Sequence, residues 1–182
     1  MALRSAARAE FCDLPDDDMS FNSLTFREAM GRFATGVTVV TTRDSAGGNC
    51  GVTVNSFASV SLDPPLVLFC LDRAAMSFDI FGDAERFAIN FLSADQHDLS
   101  VRFSTPTTDK WNGVDYDLWP SELPVLKGCL ANLGCLKDAV HDGGDHVIIV
   151  GRVETLQIDN AKSPLVYYQS GYRQIGQSIQ PA

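Results

Sequence analysis

The alternation of apolar and polar positions changes period several times along the chain. Phe26, Ala29, Met30 and Phe33 recur at helical spacing, and Thr25 with Glu28 forms a capping box, so a helix is predicted there, stopped by Gly36. From Val37 to Thr42 the texture turns β-branched, and residues 44–49, with Gly47 and Gly48, supply a turn. A second β-run from Gly51 to Leu62 ends at Pro64 and Pro65, which interrupt any ladder. Residues 66–71 are continuously apolar and predict a strand buried on both faces.

Ser77 is placed to cap a short helix ending near Gly82, and residues 87–92 read as a further strand. Ser93 or Asp95 then caps a helix carrying Leu99 and Phe103. A loop with both tryptophans follows, from Ser104 to about Pro120. The last third returns to β-texture over residues 129–136, 139–141, 146–158 and 165–168, with Gly143 and Gly144 making a hairpin. About seven short strands with two or three helices lack the strict alternation of a parallel sheet and favour an antiparallel barrel or sandwich.

The 182 residues suit one domain, expected over 23–176 between a mobile tail at 1–22 and a short tail at 177–182. Fourteen basic residues against 23 acidic ones give a net charge of −9, which opposes binding to nucleic acid or anionic membrane but permits a small anionic ligand in a local pocket. Residues 1–20 lack the apolar run of a secretory signal, and no stretch approaches the roughly 20 apolar residues that span a bilayer. The five cysteines show no CxxC spacing and read as reduced thiols, so a cytoplasmic protein is expected.

No GxGxxG follows a strand, no P-loop is present, and no metal signature appears. The segment from Thr53 to Ser61 is instead dense in hydroxyl and amide side chains. Regular alternation would set Thr53, Asn55, Phe57, Ser59 and Ser61 on one face, where they meet either solvent or the acceptors of a phosphate-bearing ligand. Lys110 can neutralise a phosphate and Trp111 can cover a flat ring, although the pair taken alone favours an exposed lysine beside a packing tryptophan. Residues 141–146 hold two histidines and two aspartates across a tight turn, but the apolar run after His146 indicates a plain hairpin rather than a metal site. His146 at a strand start can donate to a ligand amide or carry a proton, whereas His97 reads as exposed.

Several of these segments, in order, resemble the flavin reductase family whose members serve two-component monooxygenases. They are FATGVTVVT (33–41), TVNSFASVSLDPPLV (53–67), FAINFL (87–92) with QHDLS (96–100), GDHVIIVGRV (144–153), and PLVYY (164–168) with GYR (171–173). The resemblance implies a mainly β, antiparallel Greek-key split β-barrel that binds FMN or FAD, in a homodimer with the flavin near the subunit interface. It implies that Thr53, Asn55, Ser56 and Ser59 line the flavin, that Ser77 and Asn90 lie close to it, and that Lys110 and Trp111 reach its phosphate end. At the second of these two positions the family more often carries Phe. His146 would lie by the nicotinamide as the catalytic residue, with Tyr172 closing over the dinucleotide. The implied reaction is hydride transfer from NADH, with NADPH left open, to a flavin that passes to a separate monooxygenase. Such a transfer needs alignment rather than a strong acid or base, in keeping with a sequence that shows no catalytic dyad. Two other functions fit the same architecture: an oxidase of the pyridoxamine-phosphate-oxidase kind that holds its FMN tightly, and a flavin-binding or storage protein with little NADH activity.

Overall fold

A computed structural model describes residues 21–159 and 161–176. Of the expected tails at 1–22 and 177–182, residues 1–20 and 177–182 lie outside the described residues.

The chain opens with helix α1 (Ser23–Met30), capped by Asn22, whose side chain accepts from the Thr25 N–H at 2.9 Å. The cap is thus three residues earlier than the Thr25–Glu28 pair suggests, and the helix ends at Gly31 rather than Gly36. Among the described residues its apolar stripe is uncovered: no α1 residue is buried, and Leu24 in the helix and Phe33 just beyond it are 73% and 76% exposed.

Seven strands form one antiparallel sheet. They are β2 (Thr38–Arg43), β3 (Asn49–Val54), β4 (Ala58–Leu62), β5 (Pro65–Asp72), β6 (Arg86–Phe91), β9 (Ala131–Gly143) and β10 (His146–Ile158), in the order β3-β2-β6-β9-β10-β5-β4. The long β9–β10 hairpin turns on Gly144 and Asp145, and Gly144 takes a positive φ of 74° that glycine tolerates without strain. Residues 129–141, expected as two strands, are mostly one: Asp138 is left unpaired as a bulge between Lys137 and Ala139. Pro64 and Pro65 do not end the ladder either. Pro65 opens β5 opposite Leu62, at a strand's first residue, where a missing N–H is tolerated.

β5 alternates rather than burying both faces. Val67, Phe69 and Leu71 point inward while Leu66, Leu68 and Cys70 are half-buried. The inward residues meet Val40, Phe87, Ile89, Val147 and Ile149 from β2, β6 and β10, with Phe81 of helix α2 (Phe78–Asp83) closing one end. This interior is tight: a Cβ on Gly151 would stand 2.3 Å from the Phe87 ring. A second cluster covers the outside of β2, where Val37 and Val39 pack with Leu92, Leu126, Leu165 and Phe103 of helix α3 (His97–Ser104). β2 is therefore buried on both faces, as are β6 and β8 (Leu123–Leu126).

Two small sheets complete the outer layer. One is β1 (Thr35–Gly36), β11 (Val166–Tyr168) and β12 (Gly171–Arg173); the other pairs β7 (Tyr116–Trp119) with β8 (Leu123–Leu126), so the predicted loop before Pro120 is partly strand. The edge strands β3 and β4 are joined through a corner at residues 55–57. There the Ser56 hydroxyl accepts from the Cys70 N–H at 2.9 Å and donates to the Cys70 carbonyl at 3.2 Å, fastening the corner to β5 where no backbone ladder runs. The architecture is a mainly β, antiparallel split barrel.

Candidate functional site

The corner at Asn55 breaks the alternation that would set Thr53, Asn55, Ser59 and Ser61 on one face. What emerges instead is a groove along β3, whose outer edge carries backbone groups with no strand beside them.

At the Asn49–Gly51 end lies a cavity of about 300 Å³ lined by Ser77, Thr107, Thr108, Lys110 and Trp111. Lys110 Nζ donates to the Phe103 carbonyl at 2.8 Å, an acceptor that leaves its charge unneutralised. Partial burial pulls its pKa below that of an ordinary lysine, the nearby Cys50 acting weakly the other way. Cys50 stays a neutral thiol, its pKa pushed up to about 11 by burial despite the pull of Lys110. Ser77 is buried at the start of α2 and makes no side-chain capping bond, so its hydroxyl remains available to a ligand.

Trp111 packs its ring inside the fold, one of the two readings its sequence context offers, while still lining this cavity. The indole packs edge-on against Phe103 and Tyr116, at 5.1 and 5.2 Å between centroids. Among the described residues its Nε1–H is buried without a partner, and so is Oδ1 of Asn49, which lines the same cavity. A buried donor and acceptor left unpaired cost about 1–3 kcal/mol each, a cost that a polar ligand reaching them would remove. A phosphate ester fits it: Lys110 supplies charge, and Trp111, Ser77 and the threonines supply donors.

The middle and far parts of the groove meet at Asn55. This exposed amide lines a cavity of about 210 Å³ with Thr53, Ser56, Asp72 and His146, and another of about 250 Å³ with Thr53, Ser100 and Tyr172. It also borders an apolar cavity of about 370 Å³ between Phe33, Phe57, Phe91 and Leu165. An amide both donates and accepts, as the edge of a heteroaromatic ring requires.

The hydroxyls of this segment are largely committed. Thr53 Oγ1 donates to the Ser100 carbonyl at 2.7 Å, so towards the groove it can only accept. Ser56 gives its proton to the Cys70 carbonyl and accepts from the Cys70 N–H. Neither has a proton left for a phosphate, whereas Lys110 brings a positive charge to its own cavity. Ser59 is exposed on β4 and lines none of these cavities.

Asn90 is not at the groove. It is fully buried in β6, where Nδ2 donates to the Val39 carbonyl and Thr41 Oγ1, and Oδ1 accepts from Leu126 N–H and Asn132 Nδ2. β6 lies between β2 and β9 and is covered by β8, so every valence of this amide is spent inside the fold.

His146 begins β10 opposite Asp72 and is partly exposed. Its Nδ1 stands 2.7 Å from Asp145 Oδ1, and this bond holds the Asp145 carboxyl below its ordinary value. The other two polar residues of the turn are separated from it, since Asp142 pairs with Arg73 and His141 lies across from Ile148. His97 is exposed, as expected, and also packs its ring at 90° against Tyr172 with centroids 4.4 Å apart. Sequence reasoning missed Asn49, Thr107, Thr108 and Ser100. The first three flank turns whose path the sequence leaves open, and Ser100 is one of many serines until its partners are known.

Residues 30–176 match the family of the flavin reductase like domain. The chain belongs to that family. Among its relatives is a probable flavin reductase of Rhizobium meliloti, 43% identical over 152 residues, which cover 84% of this chain but 49% of that protein. The chain thus spans about half the length of that relative. The flavin-dependent monooxygenase reductase subunit HsaB of Mycobacterium tuberculosis is 42% identical over 153 residues, covering 81% of this chain and 80% of HsaB. The NADH:FAD oxidoreductase SgcE6 of Streptomyces globisporus, solved in complex with NAD and FAD fragments, superposes with a TM-score of 0.81 at 33% identity, over 86% of this chain and 94% of that one.

Proposed function

We propose that this protein is an NADH-dependent flavin reductase that reduces FMN or FAD and hands the reduced flavin to a separate flavin-dependent monooxygenase. The observation that carries the proposal is the polarity of the β3 groove. A cation and an unpaired indole N–H lie at one end, and an exposed amide with a histidine lies at the other. A flavin nucleotide has the matching order of phosphate, polyol and heteroaromatic ring. The names of HsaB and SgcE6 support the reading.

Bound flavin supplies the redox chemistry, taking up the hydride of NADH. The chain's own residues bind and orient. Lys110, Trp111 and Ser77 hold the phosphate end, and Thr53 and Asn55 address the polyol and ring. Asp145 fixes His146 through Nδ1, which presents Nε2 to the nicotinamide amide or to a proton. Tyr172 closes the dinucleotide side. The uncovered face of α1, with Phe26, Met30 and Phe33 exposed, is the surface on which a homodimer forms. Sedimentation would show a dimer, and a monomer at assay concentration would exclude this. Among the described residues no helix is long and apolar enough to cross a membrane, which agrees with a cytoplasmic enzyme.

The test is oxidation of NADH by the purified protein, followed by its near-ultraviolet absorbance, with and without added FMN or FAD. Oxidation that saturates with added flavin is expected. Flavin binding without oxidation would overturn the proposal in favour of a storage protein.

A further inference from the structure

Ser100 stands at a junction in the groove. It is fully buried in α3, and its two polar groups act in different directions. The carbonyl accepts from Thr53 Oγ1 at 2.7 Å, while Oγ lies 2.8 Å from the Tyr172 hydroxyl. One turn earlier on the same helix, His97 packs its ring against the Tyr172 ring. Tyr167 meets that ring from a third direction, at 5.4 Å and 69°.

Tyr172 needs such support because of where it sits. β12 is three residues long and pairs only with β11, through a turn in which Gln169 and Ser170 take positive φ values of 48° and 56°. A hairpin this short, on a turn of two non-glycine residues in the left-handed region, is marginal by itself. Its bond to Ser100 ties it to a helix anchored in the outer core by Phe103.

We propose that Ser100 is a positioning residue for the dinucleotide: through Oγ it holds the Tyr172 ring at the mouth of the groove before NADH arrives. This rests on the reading of Tyr172 as the residue that closes over NADH. Pre-set geometry spares the ordering cost at binding, so the latch acts on NADH affinity. Because Thr53 is anchored by the Ser100 carbonyl and not by its side chain, Ser100→Ala releases Tyr172 and leaves the flavin-lining Thr53 in place.

The experiment varies NADH and flavin independently for wild type, S100A, Y172F and the double variant, with flavin affinity measured separately by fluorescence quenching and folding by thermal melting. S100A and Y172F each raise KM for NADH by about fivefold, the loss of one neutral hydrogen bond, with kcat and flavin affinity held within about twofold. The double variant is no worse than either single one, because both remove the same bond. Y172F removes one oxygen atom and carries the test should S100A fold poorly. Tyr172→Leu separates the two levels of the argument. If Y172L raises KM for NADH while S100A and Y172F leave it unchanged, or if the single effects multiply in the double variant, Tyr172 works without Ser100 and the latch is wrong. If Y172L leaves KM for NADH unchanged, Tyr172 does not meet the dinucleotide, and the inference falls with that reading. A lowered melting temperature with an unchanged KM assigns Ser100 a purely structural role and overturns the proposal.

Discussion

His146 Nδ1 and Asp145 Oδ1 stand 2.7 Å apart at the turn of the β9–β10 hairpin, which leaves Nε2 as the nitrogen free to face a ligand. His146→Ala is expected to lower kcat by about 100-fold, the low end of the range for a positioned proton-handling group, with flavin affinity unchanged. Asp145→Asn, which keeps the shape but loses the charged acceptor, is expected to give a smaller loss of the same kind. Steady-state kinetics with flavin titration checks both. Wild-type turnover and NADH affinity in H146A would remove His146 from the mechanism.

The Lys110 cavity makes a prediction about the ligand rather than the rate. Lys110→Ala should weaken FMN by about 10- to 100-fold and Trp111→Phe by about fivefold, the latter keeping the ring but losing the Nε1–H donor. Riboflavin, which lacks the phosphate, should bind both variants as it binds wild type. Equal losses for FMN and riboflavin would mean that these residues support the fold of the groove and do not hold phosphate.

Asn90 predicts the reverse pattern. Asn90→Ala strands Leu126 N–H and the Asn132 amide among buried groups, and the expected cost is about 2–4 kcal/mol of stability, read by denaturant melting. Flavin affinity of the fraction that folds should equal that of wild type. A stable N90A protein with impaired flavin binding would return Asn90 to the site.

Asp95 supplies a pH dependence. The Ser93 hydroxyl first, and then Lys162, hold its carboxyl below the usual 3.8. A carboxyl lowered by folding contributes stability that is full above its unfolded value and is lost as pH falls through the folded one. Melting temperatures of wild type and Asp95→Asn should therefore differ near neutral pH and converge below pH 3.8. A difference that persists in acid would show that the contact does not depend on the carboxylate charge.

Short-range pattern carried much of the architecture. The β9–β10 hairpin was legible because Gly143 and Gly144 interrupt two β-rich runs, and β2, β6 and β10 were legible because β-branched and apolar residues cluster there. β5 was expected to be covered on both faces, yet what covers a face depends on elements distant in sequence. β2, with Thr38, Thr41 and Thr42 among its buried positions, is covered on both faces instead, and so are β6 and β8.

The candidate site divides along the same line. The sequence by itself determined that the chain carries a hydroxyl-rich run beside a strand, a lysine–tryptophan pair and a histidine at the head of a hairpin, because these are properties of residue type and spacing. Only the tertiary structure decided which polar groups are spare. Ser56 and Ser77 are equivalent as residues, but Ser56 spends its hydroxyl on Cys70 across the split in the barrel, whereas Ser77 keeps its own. Asn55 and Asn90 differ in the same way: one amide ends at the groove, and the other meets partners from β2, β8 and β9. A hydrogen bond is satisfied by whatever the fold brings within about 3 Å, and that neighbour is set by packing, to which local sequence has no access.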